Sequence, residues 1–372
     1  MVHKREGDFT LKRVLIIGMT STVGGVETFL MTLHNNIDKS KFQFDFLVRE
    51  DIEGIYREKI LDNGGKIHAI GSIRKSPFKT ISNLFEFYRE HQDYDVIHIN
   101  AGGSTMIIYM LPILFKRNKR VIAHSHNGSD IGKLLHYIFR PIQNFIATDY
   151  VACSKVAGEW MFGKKIANSD KLTIINNAIN TKKFLFDQSV RDKIRAELQL
   201  EDKFVVGHVG RFWEQKNHRF LIDIFAEILK INSKAVLMLV GDGSLREEIE
   251  QKVKDLGISD NVKFMGICNN TNELFQAMDV FLLPSLFEGL PIVGIEAQAS
   301  GLKCFFSDTI TKEANITGNI QYIKLNDSAE SWAREIINNG SRYTRENMYE
   351  KIAKAGFDID TEIKKIEKIY SE

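Results

Sequence analysis

Short apolar runs alternate along the chain with longer stretches in which apolar residues recur every three or four positions. The first run, RVLIIGM over Arg13–Met19, is followed by a helical pattern from Val26 to Ile37. Further strand-like runs fall at 42–48, 66–70, 94–100, 120–126 and 150–154, with helical patterns between most of them. Runs that are apolar throughout, not alternating, predict strands covered on both faces, and hence a parallel sheet. After LTIINNAIN (172–180) the chain turns polar and charged to about Leu200. The alternation then restarts, with runs at 204–210, 235–241, 262–266, 280–285 and 302–307. From about Ser341 to Glu372 only helical patterns remain. Two successive sets of alternating strands and helices predict an α/β chain of two doubly wound, Rossmann-like domains. The junction is expected near 178–203, dividing a first domain (1–185) from a second (186–345). The length of 372 residues agrees, since a single core seldom grows that large.

Composition narrows the class. Hydrophobic content of 44% and charge of 26% are those of a globular protein. Cys153, Cys268 and Cys304 lie far apart, without metal-ligand spacing, and are expected as small apolar residues in a reducing, cytoplasmic setting. The N-terminal MVHKREGDFTLKR has no apolar signal core, and MIIYMLPILF (106–115) is too short to span a bilayer. The net charge of +2 is unevenly placed: residues 1–185 carry +8 and the remainder −6. Segments 73–79, 115–120 and 132–140 mix cations with apolar residues, which suits either an anionic membrane surface or ordinary helices packed on a sheet. No nucleic-acid recognition motif accompanies them.

Ligands of open parallel sheets bind at the carboxyl ends of strands, and unusual residues cluster there. Gly24 and Gly25 lead from the first strand into a helix, where backbone amides approach an anion closely; a plain strand-to-helix turn has the same look. No G-x-G-x-x-G occurs there, which disfavours a dinucleotide-dependent oxidoreductase. His124 and His126 end a strand at a spacing that puts both on one face; without a third ligand they suit a hydrogen bond to substrate, or an interior role, better than a metal. Arg211 and Lys216 follow the first strand of the second domain and together can clamp a diphosphate. The Gly241–Gly243 turn is read as structural. In SLFEGLPIVGIEAQASGLK (285–303), Pro291 and Gly301 bracket a helix of roughly 291–300. The first amides of that helix, at Ile292 and Val293, have no intrahelical partners and also suit phosphate. Glu288 precedes the helix and Glu296 lies inside it, placed as acceptors for sugar hydroxyls. Gly294 inside the helix costs ~1 kcal/mol against alanine, which implies that a ligand or a strand packs close to it.

Taken together, GGVET, NNAIN, VGRFWEQKN, GDGSL and the two glutamates of 285–303 resemble the retaining glycosyltransferases of the GT-B fold, family 4, and within it bacterial capsular or exopolysaccharide transferases. The resemblance covers most of the chain. It implies two Rossmann-like domains facing across a cleft, with the segment 346–372 crossing back to the first. Arg211 and Lys216 would hold the donor diphosphate, Glu296 the ribose and Glu288 the donor sugar. Ile292 and Val293 would touch phosphate through their amides, within a donor-binding run that includes Leu290 and Pro291. Gly24 and Gly25 would close from the other domain. Gly266 and Ile267 would border the base, and His126 the sugar and acceptor. Ala178 stands where the family usually has glycine. Two carboxylates also fit a glycosidase, but a hydrolase of neutral glycans needs no diphosphate clamp, whereas stabilising a departing nucleotide does. The expectation is therefore transfer with retention, without cofactor or metal, from a nucleotide sugar (uridine by resemblance) to a glycan or polyprenyl-diphosphate-linked acceptor. A nucleotide-sugar epimerase or a silent nucleotide-sugar-binding subunit remain the rival readings.

Overall fold

The computed structural model describes residues 11–21, 24–73, 75–114, 119–126 and 133–372. The cationic segment 115–118 and all of 127–132 lie outside them. Within this range the chain forms two compact units. The first comprises the residues up to Ala178 together with Ile359–Glu372, and the second runs from Ile179 to Asp358.

The first unit is built on seven strands: β1 (Lys12–Ile17), β2 (Phe42–Val48), β3 (Ile67–Ala69), β4 (Val96–Ala101), β5 (Arg120–Ser125), β6 (Asp149–Ala152) and β7 (Leu172–Ile174). Their order is β3-β2-β1-β4-β5-β6-β7. Every pairing is parallel, with Val14 opposite both Phe44 and Val96. One face is covered by the helix Gly25–Asn36 and by the C-terminal helix Ile359–Ser371, whose Ile363, Ile366 and Tyr370 enter a core with Val14, Ile16 and Phe44. On the opposite face Leu84, Phe87, Ile107, Ile146 and Met161 pack against Leu15, Ile97 and Val121. Both faces are thus dry, as the unbroken apolar runs predict.

The second unit has β8 (Phe204–Val209), β9 (Ala235–Val240), β10 (Val262–Gly266), β11 (Val280–Leu283), β12 (Lys303–Ser307) and β13 (Ile320–Ile323), ordered β10-β9-β8-β11-β12-β13 and again all parallel. The short edge strand β13 is absent from the sequence reading. It has four residues, of which Gln321 and Tyr322 are only half-buried, so no continuous apolar run marks it. The helix Tyr349–Lys354 belongs to this unit through Ile352, so the tail expected to be one piece serves both units. Where the chain leaves and re-enters, Ile179 bridges Asp358 in parallel and its amide donates to Phe357 O at 2.9 Å. Asp358 is buried at this crossing. Each sheet with its helices makes up a Rossmann-like domain, two in all, as the sequence pattern predicts.

Candidate functional site

At the carboxyl end of β8 the chain enters a loop whose path is set by backbone. Gly210 N donates to Val240 O at 2.9 Å, and Phe212 N to Asp242 O at 3.0 Å. Gly241, at φ +128°, passes so close that a Cβ there would lie 2.1 Å from Gly210 O. The Gly241–Gly243 turn thus braces the loop that carries Arg211. Arg211 is exposed, lies over the Trp213 ring at 5.5 Å and makes no ion pair among the described residues. A single 3-10 turn, Glu214–Lys216, then ends at Asn217 in the left-handed region (φ +56°). Asn217 Nδ2 donates to Pro284 O at 3.1 Å, and Leu286 N donates to Gln215 O at 2.8 Å. These bonds tie the turn to the loop that follows β11.

That tie brings Lys216 and Glu288 together. Lys216 Nζ donates to Glu288 Oε1 at 2.5 Å, and both side chains are largely buried. Ser285 Oγ donates to the same oxygen at 3.0 Å and Gln215 Nε2 to Oε2 at 3.1 Å. The loop is gripped from its other side as well: Ser307 Oγ and Thr309 Oγ1 donate to Ser285 O at 2.6 and 2.9 Å, and Glu288 bridges Ile310. Glu288 is thus the common acceptor of a hydrogen-bond network that includes the Lys216 ammonium. Beneath Lys216 lies His208, fully buried, with Nδ1 on Leu282 O at 2.8 Å. A Cβ on Gly210 would meet both His208 Nε2 and the Lys216 stem, so glycine is required there.

The helix is observed over Ile292–Ala299, with Pro291 as its flanking residue and Gly301 at φ +69° just beyond its end. Ile292 and Val293 are half-buried at its first positions, so their amides point out of the helix start. Gly294 packs on β12: an added Cβ would lie 2.7 Å from Phe306 Cζ. A strand, as the glycine implies, is the neighbour. Glu296 keeps a solvent-facing edge, but it lacks a charged neighbour and burial pushes its carboxyl up to about 8. Gly266 ends β10 at φ +67°, and Ile267 after it is 77% exposed. The second unit therefore gathers Arg211, Lys216, Glu288 and Leu290–Val293 at the carboxyl ends of β8 and β11. Gly266 and Ile267 stand at the same end of β10.

In the first unit His124 and His126 are buried, whereas Gly24 is half-buried and Gly25 exposed. Gly24 precedes the helix Gly25–Asn36, whose first turn holds a buried carboxylate, Glu27. Glu27 Oε1 accepts from Thr20 Oγ1 at 2.5 Å. A carboxylate of the chain itself already occupies the helix start that a phosphate would use. Gly18 is at φ +114°, where a Cβ would lie 2.2 Å from Asn100 O. Between them opens a cavity of about 280 Å³ lined by Gly18, Glu27, Arg49, Asn100 and Tyr109 among others. His126 sits behind it. Its Nε2 donates to Asn100 Oδ1 at 2.9 Å, an assignment supported by Asn100 Nδ2 donating to Ile17 O at 3.2 Å. Burial pushes His126 down to about 4, so the ring is neutral and its one N–H is committed to Asn100. His124 packs against it at 4.1 Å between ring centres. A buried chain continues from His124 Nδ1 through His98 Nε2 (3.1 Å) to Tyr370 Oη on His98 Nδ1 (2.7 Å). Among the described residues no cluster of His, Cys, Asp or Glu has metal-binding geometry.

Gln215, Asn217, Ser285 and His208 escaped the sequence reading, as did His98 and Tyr370. Only GRFWEQKNH, with its run of polar residues after a strand, carried a signal for the first two.

Comparison with known proteins identifies the family. Residues 23–183 match the family described as Glycosyltransferase Family 4, and residues 190–356 match Glycosyl transferases group 1. EpsF of Bacillus subtilis (strain 168), assigned as a glycosyltransferase, is 33% identical over 373 residues, covering 97% of this chain and 96% of its own. The UDP-Gal:alpha-D-GlcNAc-diphosphoundecaprenol alpha-1,3-galactosyltransferase of Escherichia coli is 25% identical over 318 residues, covering 79% and 80% of the two chains. Among solved structures, Anabaena HepE in complex with UDP superposes with a TM-score of 0.76 at 19% identity, over 97% of this chain and 100% of its own. The chain belongs to the family 4, group 1 glycosyltransferases.

Proposed function

We propose that the chain transfers a hexose from a nucleotide-diphosphate sugar, with uridine as base, to a lipid-linked or glycan acceptor in polysaccharide assembly. Transfer proceeds with retention at the anomeric carbon and without a metal. One observation carries the donor half of this reading. An unpaired guanidinium (Arg211), a lysine shared with a carboxylate (Lys216 with Glu288) and the open helix start at Ile292 and Val293 lie at one end of one sheet. A diphosphate fits the three donors. When it arrives, Lys216 contributes charge to the departing nucleotide while Glu288 accepts from a hydroxyl of the sugar. Glu296 takes the ribose, and Gly266 and Ile267 border the base. In the first unit the cavity offers Glu27, Arg49 and Asn100 to a hydroxylated acceptor, with the backbone of Gly24 and Gly25 at its edge. His126 is assigned to positioning Asn100. A diphosphate-linked acceptor parallels the substrate that the E. coli relative's name states.

Product stereochemistry decides the mechanism. With an α-linked donor, NMR of the product is expected to show an α-linkage, and a β-linked product would reject retention. Full turnover in chelator is the expected companion result.

The acceptor half extends to the membrane, which the enzyme meets at its cytoplasmic face. The helix Lys133–Ile146 has no acidic residue and exposes Leu134, Leu135, Tyr137, Ile138 and Phe145, with Arg140 over the Tyr137 ring and Lys164 and Lys165 nearby on the surface. An apolar face without acids, edged by cations, suits an anionic bilayer. Leu134→Glu/Phe145→Glu is expected to abolish sedimentation with anionic vesicles and to leave turnover of a soluble acceptor unchanged. Equal sedimentation of variant and parent would reject this face.

A further inference from the structure

A second cationic cavity lies in the second unit, at the opposite end of the sheet from Arg211 and Lys216. It adjoins the amino ends of β8, β9 and β11 and has a volume of about 590 Å³, within the range of small-molecule sites. Its walls carry Arg191, Lys203, Lys234 and Arg345 against two acids, Asp202 and Asp279.

Asp279 is already spent. It accepts from Arg191 Nη2 at 2.5 Å, from Arg195 Nη1 at 3.2 Å and from Val205 N at 2.7 Å. Arg345 has no carboxylate. Its Nη2 donates to the carbonyls of Phe275 (3.2 Å) and Met278, its guanidinium lies 4.7 Å from the Phe186 ring, and its Nη1 is buried without a hydrogen-bond partner. Burial first, and then the charge of Arg191, push Arg345 down to about 9. Lys203 and Lys234 are exposed at the rim and make no ion pair among the described residues. Arg191 and Arg195 thus share Asp279, Arg345 bonds no carboxylate among the described residues, and Lys203 and Lys234 stand at the mouth with Asp202 on the same wall. A half-buried guanidinium whose enclosed Nη1 has no partner is costly, and an anion from outside would offset that cost. Phe186, Phe204 and Tyr343 add half-buried apolar wall beside the charges, which an inorganic ion would leave unused.

We propose that this cavity binds a phosphate-bearing organic small molecule, at a site separate from the diphosphate loops. β8 spans the distance between the two, six residues or roughly 20 Å, so one ligand of this size does not reach both.

The test is calorimetry on the full chain carrying Arg211→Ala/Lys216→Ala, which removes both cationic side chains of the diphosphate site, titrated with glucose 1-phosphate and separately with inorganic phosphate. Glucose 1-phosphate is expected to bind, at least tenfold more tightly than inorganic phosphate, and to weaken as salt is raised. Adding Lys203→Ala/Lys234→Ala, two exposed positions, is expected to weaken it by tenfold or more with an unchanged circular dichroism spectrum. Absence of binding in the first variant, or unchanged binding in the second, overturns the site. Equal affinity for the two ligands overturns its organic specificity. Because those two cations are absent throughout, failure here leaves the donor assignment untouched, and failure of that assignment leaves this site standing.

Discussion

Lys216 and Glu288 hold one another, and the pair has consequences that neither residue has alone. Removing Lys216 leaves Glu288 largely buried with only Ser285 and Gln215 to balance it. Lys216→Ala is therefore expected to lower kcat by orders of magnitude and also to loosen the loop before Ile292. Arg211 is exposed, so Arg211→Ala is expected to lower kcat similarly with no change in unfolding; comparing denaturation midpoints separates the two. Glu296 behaves differently. Its folded carboxyl titrates near 8 and its unfolded one near the ordinary 4.5. The folded state thus holds the proton more tightly between those values, and stability falls as pH rises through the window. Glu296→Gln has nothing to titrate. Its Tm is expected to drop less than that of the parent between pH 5 and pH 8, and parallel Tm curves would remove the burial argument. If ribose hydroxyls donate to the ionised carboxylate, nucleotide binding at pH 7 releases a proton, visible as a buffer-dependent binding enthalpy.

At the scale of elements, legibility followed burial. Largely apolar runs marked β1, β2, β5, β8, β9 and β12 to within a residue or two, because strands covered on both faces carry few polar positions. β13, at the sheet edge, had no such run. LTIINNAIN reads as one stretch, yet only Leu172–Ile174 forms a strand, and Ile175 and Ala178 continue into the first unit's core. Helix punctuation at Pro291 and Gly301 was readable because each has a backbone reason. Side-chain partners were not: the Glu288 network joins positions some seventy residues apart, and His98 meets Tyr370 across 272 positions. Periodicity carries no information at those separations. Gly294 links the two scales. Gly294→Ala gains about 1 kcal/mol of helix propensity but drives a methyl into the fully buried Phe306 ring. A net loss of about 1–2 kcal/mol is expected from urea unfolding, and a gain would show that the ring yields.

For the molecule as a whole, the decisive feature is that the first unit is discontinuous. The C-terminal helix brings Ile363, Ile366 and Tyr370 into its core, and Glu362 accepts from Asn176 N at 2.9 Å. Tyr370→Phe removes the hydroxyl that meets His98 in a buried setting, and a cost of about 1–3 kcal/mol is expected. That loss should appear in the unfolding of the first unit and leave the second unchanged, as hydrogen exchange resolved by segment can report. The same discontinuity sets an order of events during synthesis. The sheet of the first unit leaves the ribosome first, yet one of its faces stays only partly covered until Ile359–Ser371 emerges, some 180 residues later. At the usual pace of translation that interval is on the order of ten to forty seconds. The second unit, contiguous in sequence, can close within it. The nascent chain therefore completes its later-made half before its earlier-made one, and meanwhile the face of Val14, Ile16 and Phe44 lacks the cover of Ile363, Ile366 and Tyr370.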